Sequence, residues 1–283
     1  MIDILKKAAL AGGEVLQKYF ETGVNISFKT SFQDIVTEAD IESQKVIIQS
    51  IKRLSRGTSL ENKIGFLGEE KLYEKGEYMF VIDPLDGTTN FATGINFFNI
   101  SIALAKGNEV IGAVVYDVSN KKMYLAQKSK GAFKNDKKIA ISKNNRLEEL
   151  VLLASPTRTA GLREQVMQKL SSTLGHIKSL RILGSIGLEL CLIAEGKKAM
   201  FIHGSAGPWD IAAAKLILEQ AGGIMLDWNG DKLRLDFHKQ NDVYKVIGGE
   251  EKLIRMFLEK FPLKNAGSSG GEEGRGELRH GLN

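Results

Sequence analysis

The sequence predicts an α+β fold in which helices and sheets lie in layers. Three observations carry this. Residues 97–127, "FFNISIALAKGNEVIGAVVYDVSNKKMYLAQ", read as three strands in meander, with turns at Gly107-Asn108 and Ser119-Asn120. From residue 150 onward, strand and helix patterns alternate. Finally, 43% of the 283 residues are hydrophobic and 26% are charged, which allows a large core.

Taken in order, residues 2–20 carry helical apolar spacing that ends near Glu21-Thr22-Gly23, and 22–34 read as a loop. Thr37 opens a second helix, "TEADIESQKVIIQSIKRL". Its first turn is acidic and its last basic, as the helix dipole favours. A polar loop near 55–63 leads to the short strand "IGFLGEE". "YMFVID" is an apolar strand whose pairing is expected to end at Pro84, which has no N–H. In the second half, "LVLLASP", "HIKSLRIL" and "KAMFIH" read as strands, and 161–173 and "IGLELCLIAEG" as helices. "PWDIAAAKLILEQAGG" opens on proline and closes on paired glycines, the first-turn and C-cap preferences of a helix. Strands at 223–227 and 243–248 and a helix near 250–260 complete the pattern. The expectation is one domain over 1–262, with halves of about 1–145 and 146–262. Residues 263–283, dominated by glycine, serine and charge, read as a disordered tail or an expression remnant.

Charge and cysteine content narrow the function. Lys and Arg number 39 against 34 Asp and Glu, a formal charge of +5, but the basic residues are scattered. A nucleic-acid footprint clusters them, so nucleic acid is not the expected partner. Cys191, the single cysteine, lies in the apolar run "LELCLIA", so no disulfide forms within the chain, which suits a reducing compartment. The amphipathic start lacks the order of a secretory signal, and no run approaches a membrane span. These features predict a soluble, cytoplasmic protein.

Chemistry concentrates in "VIDPLDGTTNF", residues 81–91. Asp83 sits at the exit of an apolar strand, Asp86 follows three residues on, and a helical turn can begin at Gly87-Thr88-Thr89. Free N–H groups at such a start attract anions, phosphate above all. Two carboxylates beside an anion would repel it, and hard cations between them remove the conflict. Oxygen ligands suit Mg²⁺, which uses few carboxylates and keeps waters and phosphate oxygens. Taken alone, the motif reads equally well as two aspartates capping a turn. Glu69 and Glu70 end "GFLGEE", Asp40 lies in the first helical turn in "DIVTEAD", and Asp210 in that of "PWDIAAA". Each of these two aspartates alone is explained by stabilising a helix start.

Together, "DPLDGTTNF", "WDIAAAKLILEQAGG", "GEE" and "DIVTEAD" resemble, in order and over about residues 1–262, the inositol monophosphatase family. These are Mg²⁺-dependent, lithium-sensitive phosphatases, grouped with fructose-1,6-bisphosphatases and nucleotide-phosphate phosphatases. The resemblance implies an α-β-α-β-α layered sandwich, two to three Mg²⁺ ions per site, a small phosphate ester as substrate, and a homodimer. By position, it implies a first metal site of Glu69, Asp83 and the Leu85 carbonyl, and a second of Asp83, Asp86 and Asp210. A weaker third ion would lie near Glu69. Gly87 and Thr88 resemble the phosphate cradle, and Thr88 with Asp40 the pair that orients and deprotonates the attacking water. Lys29 resembles a lysine on the mobile loop over the metals, and Glu70 is a spare carboxylate. On the leaving-group side, Ser155, Arg181, Gly184, Ser185 and His203 fall where the family contacts the polyol or sugar. His203 departs from the pattern. It stands seven residues before the "WD" aspartate, where inositol-selective members carry a glutamate, and it cannot supply a carboxylate's two acceptors.

Other chemistries fit less well. Phosphatases that form an aspartyl-phosphate space their aspartates two apart, not three. No G-x-S-x-G elbow accompanies the four histidines, and their spacing does not suit zinc. A binding role in transcription or ribosome-related regulation, associated with some bacterial members, predicts damaged metal ligands, and all of them are present.

Overall fold

The computed structural model describes residues 1–23, 26–28, 35–143, 146–155, 162–239 and 242–263. The first half runs α1 (Ile2–Thr22), β1 (Ile26–Phe28), β2 (Ile35–Thr37), α2 (Glu38–Ser55), β3 (Ile64–Gly68), β4 (Leu72–Glu74), β5 (Tyr78–Asp86) and α3 (Thr88–Ala92). A meander follows: β6 (Asn99–Lys106), β7 (Glu109–Asp117), β8 (Lys122–Gln127), β9 (Gly131–Lys134) and β10 (Lys137–Ile139). After it come β11 (Val151–Ser155), α4 (Leu162–Thr173), β12 (Ser179–Arg181), α5 (Ile186–Ala194), β13 (Ala199–Ala206), α6 (Pro208–Gln220), β14 (Ile224–Asp227), β15 (Tyr244–Gly249) and α7 (Glu251–Lys260).

Two large sheets result. One has eight strands in the order β10-β9-β8-β7-β6-β5-β3-β4, and the other five in the order β12-β11-β13-β15-β14. The period-2 alternation of side chains explains how they stack. Phe80, Ile82, Ile100 and Ile102 face Leu5 and Ile47 of α1 and α2. Their strand neighbours Met79, Val81, Ala103 and Val115 face the opposite way, onto Leu190 of α5 and Ile211 and Leu218 of α6. The same middle layer meets the second sheet at Phe201 and Val246. Met200, Ile202 and Ile247 then point outward, onto Val166 and Leu170 of α4 and Leu253 and Phe257 of α7. The layers are therefore α-β-α-β-α, as expected.

Short, weakly patterned segments differ from expectation. Within 22–34, Ile26–Phe28 forms a strand that pairs antiparallel with Ile35–Thr37. Three residues are too few to carry a readable alternation. The meander also continues past residue 127 through β9 and β10, joined by a tight turn with positive φ at Asn135 and Asp136. The strand anticipated in "HIKSLRIL" shrinks to Ser179–Arg181. Leu263 is buried against the α7 cluster, and the rest of the anticipated tail, 264–283, lies outside the described residues.

Close packing of α1 on α2 and the first sheet depends on Gly12. A Cβ there would stand 2.7 Å from Ile47 Cγ1 and 2.9 Å from Ile100 Cδ1. Gly12→Leu is expected to lower the urea unfolding midpoint by the equivalent of about 1–3 kcal/mol, the usual cost of overpacking. An unchanged midpoint would show that this contact yields freely.

Candidate active site

The site begins with an irregularity in β5. Asp83 pairs with Ser101 and Asp86 with Asn99, so three steps along β5 match two along β6. One extra residue is accommodated, a β-bulge at Pro84-Leu85. In a regular strand, residues three apart face opposite sides. The bulge instead puts both aspartates on the face that looks toward α5 and α6. Pairing therefore does not end at Pro84, as the sequence suggested. It skips the proline, which has no N–H to lose, and resumes at Asp86. From α2, Ser43 Oγ donates to the Pro84 carbonyl at 3.0 Å and braces the bulge.

Gly87 then turns the chain with φ +96°, and a Cβ there would meet the Phe97 carbonyl at 3.0 Å. This left-handed turn delivers Thr88 as the first residue of α3. The Thr88 hydroxyl lies 3.1 Å from the Leu85 carbonyl and 3.3 Å from Asp40 Oδ1. Asp40 is fully buried, and its other oxygen closes the capping box of α2, accepting from Thr37 N at 2.8 Å and Thr37 Oγ1 at 2.6 Å. The helix start fixes one carboxylate oxygen and turns the other toward Thr88.

The electrostatics tie the remaining acids to the same place. Burial pushes the Asp83 carboxyl well above the usual range, and the charges of Glu69, Asp86 and Asp210 push it further, against one opposing bond from Leu85 N at 3.0 Å. Burial also raises Asp86, although Gly187, Ser185, Asn99 and Ile186 all donate to it. Asp40 is pushed up to about 7 by burial, with Glu69 and Glu70 adding to the rise and the Thr37 bonds opposing it. Glu69 follows β3 in a turn pinned by its N–H to the Ile82 carbonyl at 3.3 Å. Asp210, in the first turn of α6, accepts from Gly207 N at 2.6 Å. Glu70 is anchored through its backbone, which exchanges two hydrogen bonds with the Gln44 amide at 3.1 and 3.4 Å.

Among the described residues, no three His, Cys, Asp or Glu side chains close on a common point as an ion's ligands do. Asp40, Asp83, Asp86 and Asp210 are each turned to a local donor. The donor set is still that of a hard cation. It consists of carboxylates and the Leu85 carbonyl, with a buried Asp83 whose charge the neighbouring acids oppose. These residues fit Mg²⁺.

The leaving-group candidates are less concentrated. His203 is buried in β13, its ring stacked on Phe201 at 6.2 Å, and its backbone lies opposite Ser155 and Val246. The Ser155 side chain and Lys29 lie outside the described residues. Arg181 is exposed, and its guanidinium donates to the neighbouring Leu180 carbonyl at 2.8 Å. Gly184 turns with φ +82° against the Asn90 side chain, whose amide bridges the Phe97 and Leu183 carbonyls at 2.8 and 2.7 Å. Ser185 is set differently from the other candidates. It is fully buried, and its hydroxyl donates to Asp86 at 2.9 Å instead of opening to a ligand. Sequence reasoning passed over Asn99, Asn90, Ser43 and Gln44. The signal at Asn99 was an amide set inside the apolar run "FFNISIAL".

A sequence profile of the inositol monophosphatase family matches residues 1–259. The chain belongs to this family, whose members are phosphoric monoester hydrolases and generally Mg²⁺-dependent. It is 34% identical over 230 residues to a Thermotoga maritima fructose-1,6-bisphosphatase/inositol-1-monophosphatase, covering 81% of this chain and 84% of that protein. It is 32% identical to the Nus factor SuhB of Pasteurella multocida, over 92% of this chain and 95% of the relative. The crystal structure of the extragenic suppressor protein SuhB from Bartonella henselae superposes with a TM-score of 0.81 at 30% identity, covering 93% of this chain and 98% of that one. No helix among the described residues is long and apolar enough to cross a membrane.

The raised carboxyls predict how the metal-free protein responds to pH. A carboxyl with a folded pKa above its unfolded value holds a proton that the unfolded chain has released. Stability therefore falls as pH rises between the two values. For Asp40 the window runs from about 4 to about 7, and its contribution is roughly 4 kcal/mol at most. Asp83, also raised by burial, adds to the same trend. In EDTA, the melting temperature is expected to drop between pH 5 and 7.5, and Mg²⁺ at a hundredfold excess over its Kd to restore about 2.7 kcal/mol. A melting temperature that is flat over this window in EDTA would contradict the account.

Proposed function

We propose that the chain hydrolyses phosphate monoesters, with inositol 1-phosphate as the principal substrate, by direct attack of water and without a phosphorylated residue. The observation that carries this is the Thr88–Asp40 pair, set beside two aspartates that the bulge turns to one face. Glu69, Asp83, the Leu85 carbonyl, Asp86 and Asp210 would hold two to three Mg²⁺ ions. Bound Mg²⁺ supplies positive charge that offsets the anionic ester and makes water a better nucleophile.

The protein's own groups do the positioning. Backbone N–H groups at Gly87 and Thr88 face the phosphate. The Thr88 hydroxyl carries one proton and two acceptor positions. It donates toward Asp40 Oδ1, and its lone pairs accept from the attacking water. A carboxyl near the working pH is suited to take a proton from that pair. Asp83 is buried, and one of its oxygens is engaged by Leu85 N, which favours a ligand role over attack on phosphorus. Phosphoryl transfer depends largely on such placement and on charge.

Selectivity falls to the leaving-group side. His203 offers at most one acceptor where a carboxylate would offer two, which supports loose discrimination among polyol and sugar phosphates. The dual name of the Thermotoga relative supports fructose 1,6-bisphosphate as a further substrate. A second reading, a binding role in transcription, is favoured by the Pasteurella relative named as a Nus factor. Phosphatase activity without detectable RNA binding would favour the enzymatic reading, and RNA binding without turnover the other.

Activity is expected to vanish in EDTA and return with Mg²⁺. Thr88→Ala is expected to lower kcat by about 10²-fold or more with little change in KM. A chiral thiophosphate ester is expected to react with inversion, and retention would refute direct attack by water.

Substrate choice is tested by kcat/KM for inositol 1-phosphate, fructose 1,6-bisphosphate, glycerol 2-phosphate and adenosine 2′-monophosphate. His203→Glu is expected to raise the preference for inositol 1-phosphate roughly ten- to hundredfold, the worth of one charged hydrogen-bonding group. An unchanged ranking would show that residue 203 does not face the leaving group.

A further inference from the structure

Asp86 is held in an uneven way. Its Oδ2 accepts from Asn99 Nδ2 at 2.6 Å, Gly187 N at 2.7 Å and Ser185 Oγ at 2.9 Å. Its Oδ1 accepts from Ile186 N, at the longer distance of 3.2 Å. Asn99 Nδ2 also donates to Ser185 Oγ at 2.8 Å. The amide thus gives one N–H to the carboxylate directly and one through the serine hydroxyl, and the three groups close a triangle around Oδ2. Linked donors of this kind polarise one another and resist reorientation.

Two further observations show that the triangle is built at the expense of its surroundings. Asn99 is fully buried, and its Oδ1 has no hydrogen-bond partner among the described residues. Turning the amide over would set that oxygen against Asp86 Oδ2, so the neighbours decide its orientation. Gly187 leaves the necessary room. A Cβ there would lie 2.9 Å from both Asn99 amide atoms and 3.1 Å from Asp86 Oδ2.

We propose that Asn99 and Ser185 are positioning residues that clamp Asp86 by Oδ2 and thereby present Oδ1 to the Mg²⁺ site, with Gly187 as the residue that makes room for the clamp. This rests on the Mg²⁺-dependent reading above. Ligand carboxylates are commonly oriented by such hydrogen bonds, and losing one weakens metal affinity by about 10–100-fold. Ser185 then serves the phosphate side of the reaction and not substrate choice.

The test is calorimetric titration of the full chain with Mg²⁺, for wild type, Ser185→Ala, Ser185→Thr and Asn99→Ala, alongside kinetics and melting in EDTA. Ser185→Ala and Asn99→Ala are expected to raise the Mg²⁺ Kd about tenfold or more, while Ser185→Thr, which keeps the hydroxyl, stays near wild type. Turnover by the alanine variants is expected to need correspondingly more Mg²⁺, with kcat largely recovered at saturation. A purely structural role would lower the melting temperature in EDTA and leave the Kd unchanged, and that result overturns the proposal. If Asn99→Ala fails to fold, the Ser185→Ala and Ser185→Thr pair decides. Wild-type protein that binds no Mg²⁺ would overturn the phosphatase reading itself, whereas variants that bind like wild type overturn this inference alone.

Discussion

A carboxylate that must stay inside the protein sets the terms for everything around it. Asp83 is fully buried, with the charges of Glu69, Asp86 and Asp210 acting on it. Burying an uncompensated charge is costly, and like charges add to the cost. Local structure answers with donors and dipoles. Asp40 lies in the first turn of α2, Asp210 in that of α6, and Asp86 accepts from the first two N–H groups of α5. Three helices of 18, 13 and 9 residues thus begin beside the acids, each with the positive end of its dipole toward them.

The layering makes that convergence possible. α5 and α6 form the middle layer, buried between the two sheets, so their starts open onto the face of β5 that carries Asp83 and Asp86. Asp86 is joined to Gly187 across 101 positions of sequence, and Asn90 to Leu183 across 93. The acidic mouth is therefore completed only when the second half packs on the first. A hydrophobic middle layer brings together polar groups that could not assemble locally, and those groups in turn fix the register between the halves.

What could be read in the sequence follows the range of the interactions. Asp40 and Asp210 were visible because helix starts obey local rules over three or four residues, and the long alternating strands were visible for the same reason. The bulge was not. A spacing of three between Asp83 and Asp86 suggests opposite faces, and only pairing with β6 shows the extra residue. Asn99, Ser43 and Gln44 were missed because their partners lie 13, 41 and 26 positions away. Ser185 was placed on the leaving-group side by position alone, whereas its burial and its bond to Asp86 set it behind that carboxylate. The resemblance singled out the acids as a group, but the groups that orient them emerged only from contacts across the fold.

Those contacts also separate two kinds of rigidity. At the acidic mouth, Gly87, Thr88, Asp40 and Asp86 are each constrained by backbone conformation or by hydrogen bonds, and under the proposed mechanism small displacements there would misplace the reacting atoms. On the other side, His203 stands at the edge of an irregularity in β13, where pairing with β15 shifts between His203 and Ala206. Its ring rests on Phe201, an apolar contact that fixes the plane of the imidazole. Arg181 is turned back on its own backbone. Under the proposed reading, groups held in this way would meet differently shaped alcohols without disturbing the acids. On that reading, the groups that would meet every phosphate ester are held stiffly, and those on the leaving-group side could change by single substitutions without disturbing them.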